Sequence, residues 1–198
     1  MLLAVEPSPV MMDQRPADAA PCVQGTAEHL PFAAGSFDAA LALLTVHHWG
    51  DWRAGLAELV RVAPGRQVVF TWAADAQSHY WLIDEYLPCV TAFDDGYPTA
   101  PEIAAALPRS RLVELPIPAD CTDGFFAAYW QRPEAYLDPG VRASISTFAL
   151  GILDPALVDE GLARLAADLD TGAWHERHAD LLERDRLDVG YRLVVAGA

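Results

Sequence analysis

Residues 25–48 read GTAEHLPFAAGSFDAALALLTVHH, and the second half of this stretch decides the fold. Ala39 to Val46 is an apolar run without polar alternation, the pattern of a central strand in a parallel sheet covered on both faces. His47-His48-Trp49-Gly50 stands at its carboxyl end. Asp51 then caps a helix whose apolar positions Trp52, Leu56, Leu59, Val60 and Ala63 recur at helical spacing. Pro64-Gly65 stops that helix, and Gln67 to Trp72 supplies another strand. Strand, helix and strand in this order make a right-handed βαβ unit, with the crevice beyond the strand carboxyl ends as the expected ligand side.

Towards the amino terminus, Leu2 to Val5 is a short strand halted by Glu6-Pro7-Ser8-Pro9, since proline cannot donate in a central ladder. Met11 to Arg15 has room for one helical turn, and Cys22 to Gly25 is a second short strand. Beyond the βαβ unit, Tyr80, Trp81, Leu82, Ile83, Tyr86 and Leu87 form a broad apolar helical surface before Pro88, and a loop follows with Asp94-Asp95-Gly96 and Pro98. Ile103 to Leu107 is expected as a short helix, Arg111 to Ile117 as a strand, and Asp120 to Gly124 as a polar turn. Pro133 to Leu137 and Pro139 to Leu150 are expected as helices. The next helix is capped by Asp154, has Pro155 at its first position, and buries Leu157, Val158, Leu162, Leu165, Ala166 and Leu169. Trp174 to Arg184 reads as a last helix and Asp188 to Ala196 as a last strand. The expected organisation is one domain over 1–198 with a largely helical insertion within 75–185.

A chain of 198 residues is long enough for one substantial core and too short for two ordinary domains. A hydrophobic fraction of 53% makes it globular rather than disordered. The net charge of -15 surrounds it with a repulsive field, so nucleic acid and anionic membrane are not expected partners. No run reaches the roughly 18 apolar residues of a spanning helix. Met1 to Val5, followed at once by Glu6-Pro7 and lacking a basic leader, is expected to be a buried strand rather than a signal peptide. Cys22, Cys89 and Cys121 are odd in number and form no CxxC, which fits a reduced, cytoplasmic setting without a metal site.

Gly25-Thr26-Ala27-Glu28-His29-Leu30-Pro31-Phe32, followed by Gly35-Ser36-Phe37-Asp38-Ala39-Ala40, resembles the middle of the type-11 class I S-adenosylmethionine-dependent methyltransferases. Their usual pattern there is Gly-Asp-Ala-Glu-x-Leu-Pro-Phe, a short turn, then Ser-Phe-Asp-x-Val. Thr26 stands where the acidic residue is common. The resemblance continues through His47-His48-Trp49, Arg61-Val62-Ala63-Pro64-Gly65 and the final Tyr191 to Ala196. It implies an α/β, Rossmann-like methyltransferase fold, a mostly parallel sheet flanked by helices. It also implies that the fold is N-terminally incomplete here, because no GxGxG loop occurs and the strand expected between Leu2 to Val5 and Ala39 to Val46 is missing. Direct pairing of the bordering strands, another polypeptide, or a lost native beginning each accounts for that gap, and an assembly that fills it is the favoured expectation.

By the same resemblance S-adenosylmethionine is the cofactor. Glu6 would accept hydrogen bonds from its ribose hydroxyls, Thr26 and Ala27 would lie beside the adenine, and Leu44 and Thr45 would line its other side. A solvated strand end equally explains Glu6.

His48, next to His47 at a strand tip, is a candidate general base, with helix capping as its plain alternative. Asp75 and His79 follow the next strand tip and are further catalytic candidates, while core packing accounts equally for Tyr80 and Trp81. Asp120, Cys121 and Asp123 read as a charged loop. His175-Glu176-Arg177-His178 is not HExxH, so both histidines are expected on a polar helix face and no metal is expected. The expected function is methyl transfer to a small apolar or aromatic metabolite, by a homo-oligomer or with a methyltransferase-like partner chain. Two alternatives stay open: a cofactor-independent subunit of a heteromeric enzyme catalysing cyclisation or elimination, and a non-enzymatic scaffold or regulatory binding protein.

Overall fold

The computed structural model describes residues 1–77, 79–93 and 96–197. In chain order its elements are β1 (Ala4–Glu6), α1 (Pro9–Asp13), β2 (Cys22–Gln24), β3 (Ala40–Leu43), α2 (Trp52–Val62), β4 (Arg66–Trp72), α3 (Ala74–Gln77), α4 (Ala100–Ala106), β5 (Arg111–Glu114) and β6 (Ile117–Pro118). There follow α5 (Pro139–Ser144), α6 (Ser146–Ala149), α7 (Pro155–Thr171), α8 (Ala173–Arg177), α9 (Ala179–Leu182), β7 (Arg186–Leu187) and β8 (Tyr191–Gly197). They form two compact units: unit 1 is Met1–Thr71, Pro98–Val113 and Arg192–Ala198, and unit 2 is Trp72–Tyr97 and Glu114–Tyr191.

Two strand pairs of unit 1 run parallel. β1 runs parallel to β2, with Ala4 opposite Cys22 and Glu6 opposite Gln24. β3 runs parallel to β4 in a sheet of order β3-β4-β8-β5. Helix α2 starts where expected because the Asp51 carboxylate accepts the N–H groups of Arg53 and Ala54, at 3.1 and 3.0 Å. Its Leu56 and Leu59 then pack with Ala42, Val69, Ile103 and Val194 into the core.

Two expectations change in unit 1. The run 39–46 is a strand only to Leu43; Leu44 turns into the left-handed region at φ 45, and Val46–His48 forms a 3₁₀ turn. Nor is β3 covered on both faces. Ala42 is buried while Leu41 and Leu43 are 56% and 57% exposed, because successive side chains of a strand point to opposite faces. Among the described residues no ladder joins β1 to β3; each pairs with its own neighbour.

Unit 2 is held by aromatic packing. Trp81 meets Trp174, Tyr136 and Tyr86 edge-on at centroid distances of 5.1, 5.8 and 6.0 Å, and its indole N–H donates to the Trp130 carbonyl at 2.9 Å. The Tyr136 hydroxyl donates to the Phe126 carbonyl at 2.7 Å, so the buried Tyr80 hydroxyl donates to Tyr136 at 2.8 Å.

Several boundaries differ here as well. The strand expected over 111–117 divides into β5 and β6 around Pro116, which has no N–H to donate. The helix expected over 139–150 breaks at Ile145, whose extended backbone turns a fully buried side chain inward. The 174–184 helix breaks likewise at His178. In α7 the buried positions are Gly161, Leu162 and Leu165, whereas Leu157 faces solvent. Asp94 and Asp95 lie outside the described residues. Among the described residues no helix is long and apolar enough to cross a membrane.

A Cβ at Gly161 would strike the carbonyl of Tyr86 and the side chain of Leu87. Gly161→Ala is therefore expected to destabilise by about 1–3 kcal/mol, against the gain in helix propensity, read as a lower denaturant midpoint.

Candidate functional site

In unit 1 the candidate residues gather at strand carboxyl ends. Glu6 closes β1, and its carboxylate accepts the Ser8 N–H at 2.9 Å, while the Ser8 hydroxyl accepts the Met11 N–H at 3.3 Å and starts α1. The Glu6 carbonyl accepts the Gly25 N–H at 3.3 Å, which sets the exit of β2 beside the exit of β1. The next turn closes when the Thr26 carbonyl accepts the His29 N–H at 3.2 Å, leaving Thr26 exposed and Ala27 half-buried. Glu6, Thr26 and Ala27 are thus brought together.

Leu44, Thr45 and His48 form the second group. Leu44 occupies a conformation that costs an L-residue roughly 1–2 kcal/mol, and is held there by its N–H on the Phe70 carbonyl at 2.9 Å. The Thr45 carbonyl accepts the His48 N–H at 2.9 Å, and the imidazoles of His47 and His48 lie side by side, tilted by 49° with centroids 3.8 Å apart. Burial, then the neighbouring His48, pushes His47 down to about 4. Partial burial of its ring also lowers His48, which is otherwise at the surface. Both are therefore neutral near pH 7, and a neutral imidazole can accept a proton.

A residue without an assigned role in the sequence ties the turn after β2 to the start of α2. The Glu28 carboxylate accepts the Asp51 N–H at 3.2 Å. Its own backbone N–H first, then those of Asp51 and Gly50 and the Thr26 hydroxyl, hold it below the usual carboxylate range against desolvation. Downstream, Glu58 accepts the Leu30 N–H at 2.9 Å and pairs with Arg61 at 2.5 Å; the hydrogen bond from Arg61 carries it down to about 2.

Asp75 and His79 belong to unit 2. Asp75 lies in the first turn of α3, and exposed His79 lines a cavity of about 350 Å³ with Trp81, Glu85, His178 and Asp180. The expectation of a polar helix face for His178 is corrected: its ring lies against Trp174 and Trp81, at 4.9 and 5.9 Å, and its Nε2 is 2.9 Å from the Glu85 carboxylate. Arg177 joins Glu85 to Asp168, and the Tyr86 hydroxyl donates to Asp168 at 2.6 Å. No spacing rule reveals this network, since its members are about 80 to 90 residues apart. Among the described residues no cluster suits a metal ion.

The model of a methyltransferase domain matches residues 1–70. A protein from Anabaena variabilis, described as a methyltransferase from an antibiotic biosynthesis pathway, is 32% identical with a TM-score of 0.89; the match covers 99% of this chain and 81% of that one. A methyltransferase from Thermotoga maritima is 22% identical, covers 58% of each chain and has a TM-score of 0.47. No curated protein matches. With this identity across nearly its whole length, the chain belongs to the class I S-adenosylmethionine-dependent methyltransferase family.

Because folding lowers the His47 proton affinity, its contribution to stability is complete above about pH 6.5 and falls as pH drops towards about 4. His47→Gln is expected to flatten the pH dependence of urea unfolding across that window, and an unchanged slope would contradict the burial of His47.

Proposed function

We propose that this chain binds S-adenosylmethionine at the carboxyl ends of β1, β2 and β3 and transfers its methyl group to a small metabolite. The observation that carries this reading is Leu44, a bulky residue held at φ 45 beside Thr45 and His48. Strain of this kind collects at ligand sites, where surrounding structure holds it in place. The donor set suits the cofactor. Glu6 offers carboxylate oxygens to two vicinal ribose hydroxyls, Thr26 and Ala27 offer a hydroxyl and an amide to the adenine, and Leu44 and Thr45 offer an apolar edge.

When bound, the cofactor supplies an electrophilic methyl group on a sulfonium sulfur. The protein's share is to orient the nucleophile and remove its proton. Neutral His48 accepts that proton in this reading. The organisation that goes with it is one methyltransferase-like domain, with unit 2 as the helical insertion. The Anabaena relative's antibiotic pathway and the net charge of -15 favour a small metabolite over a nucleic acid. A partner chain, a second copy of this one or a methyltransferase-like one, covers the exposed face of β3 in this reading. Exposed Leu41 and Leu43 support such a cover.

Titration calorimetry with S-adenosylmethionine and S-adenosylhomocysteine tests the reading. The wild-type chain is expected to bind both, and Glu6→Ala to weaken them by about tenfold or more. No heat with either ligand contradicts it.

A further inference from the structure

Helix α2 carries only half of an N-terminal capping box. The Asp51 carboxylate accepts the N–H groups of Arg53 and Ala54, which leaves the N–H of Asp51 itself to be met from elsewhere. In a complete box a glutamate or glutamine three residues on supplies that acceptor, but position 54 is alanine. Here the acceptor comes from 23 residues upstream: the Glu28 carboxylate takes the Asp51 N–H at 3.2 Å, and its Oε1 lies 3.8 Å from the place a Gly50 Cβ would occupy. The turn with His47 and His48 stands just before this tie. Its other end is fastened by the Leu44 N–H on the Phe70 carbonyl at 2.9 Å, and Trp49 lies so close to Gly55 that a Cβ there would strike its ring.

We infer that Glu28 is a positioning residue for His48: it fastens the downstream end of the turn that carries the imidazole pair, and so sets where the proposed base stands. A general base acts only within hydrogen-bond reach of the proton it takes, so a drift of about 1 Å in this turn lowers the rate without altering the base itself. Of the three ties on the turn, Leu44 and Trp49 hold it to β4 and α2, whereas Glu28 holds it to the turn after β2. What this last tie requires is an acceptor oxygen at the end of a side chain of glutamate length. Negative charge beside the start of α2 adds a favourable interaction with the helix dipole but does not itself fix a geometry. This role rests on the reading of His48 as the proton acceptor.

The test is imidazole NMR of the full chain, with the His47 and His48 signals assigned by His47→Gln and His48→Gln. In the wild type the two rings are expected to show a mutual Overhauser contact, and His48 to titrate below its usual 6.5. Glu28→Asp keeps the charge but withdraws the carboxylate by one methylene; it is expected to abolish the contact and bring His48 up towards 6.5. Glu28→Ala removes the acceptor altogether and is expected to do the same, which keeps the test decisive if one of the two folds poorly. Glu28→Gln loses the charge but keeps an acceptor oxygen at the same reach, and is expected to retain both wild-type signatures. A Glu28 that only stabilises the fold lowers the denaturant midpoint in the Asp and Ala variants while leaving the ring contact and the titration as in the wild type, which overturns the inference. Glu28→Gln behaving like Glu28→Asp overturns it as well, since charge would then hold the turn. Calorimetry with S-adenosylhomocysteine separates the two levels: no heat in the wild type contradicts the function proposed above and with it the catalytic meaning of the tie, whereas unchanged imidazole spectra sink the tie and spare that function.

Discussion

Arg61 holds residues 30–32 against α2 through three contacts made by one planar group. Its guanidinium donates to the carbonyls of Phe32 at 2.7 Å and Leu30 at 3.1 Å and pairs with Glu58, whose carboxylate takes the Leu30 N–H. A lysine has no comparable fork, so a single ammonium would not close this arrangement. The pinned segment fixes one end of the turn at 25–29, and the Gly25 N–H on the Glu6 carbonyl fixes the other. The placement of Glu6, Thr26, Ala27 and Glu28 relative to one another depends on that turn being tied at both ends.

The second group depends on the parallel ladder. Pairing with β4 continues one residue past β3, to the Leu44 N–H on the Phe70 carbonyl, and this bond commits Leu44 to the left-handed region. The chain then reverses through the 3₁₀ turn, so His47 and His48 lie side by side ahead of α2 instead of extending the strand. Burial of His47 keeps it uncharged near neutral pH, where two adjacent imidazolium ions would repel. In unit 2 the Trp81 cluster has the corresponding place, with Glu85, Arg177 and Asp168 satisfying one another around Tyr86.

The βαβ unit was legible because its cues are local: an apolar run, a capping aspartate, a helical period and a Pro-Gly stop. Asp154 marked a helix start by the same chemistry. What stayed hidden depends on the rest of the fold. Nothing around Leu44 announces a positive φ, and Leu41 and Leu43 have the same apolar character as residues buried on both faces. Ile145 carries no helix-breaking chemistry; its burial interrupts the helix. His178 looks polar in sequence and sits on two tryptophans in space. For the candidate site, the family resemblance supplied Glu6, Thr26, Ala27, Leu44 and Thr45, whereas the bond from the Asp51 N–H to Glu28 emerged only from the fold.

The central claim is that one ligand sits at the carboxyl ends of β1, β2 and β3. Hydrogen exchange followed residue by residue, with and without S-adenosylhomocysteine, tests it most directly. Slowed exchange is expected to concentrate at the amides of 25–29 and 44–48. Exchange unchanged by the ligand at these positions, or protection confined to unit 2, would contradict it.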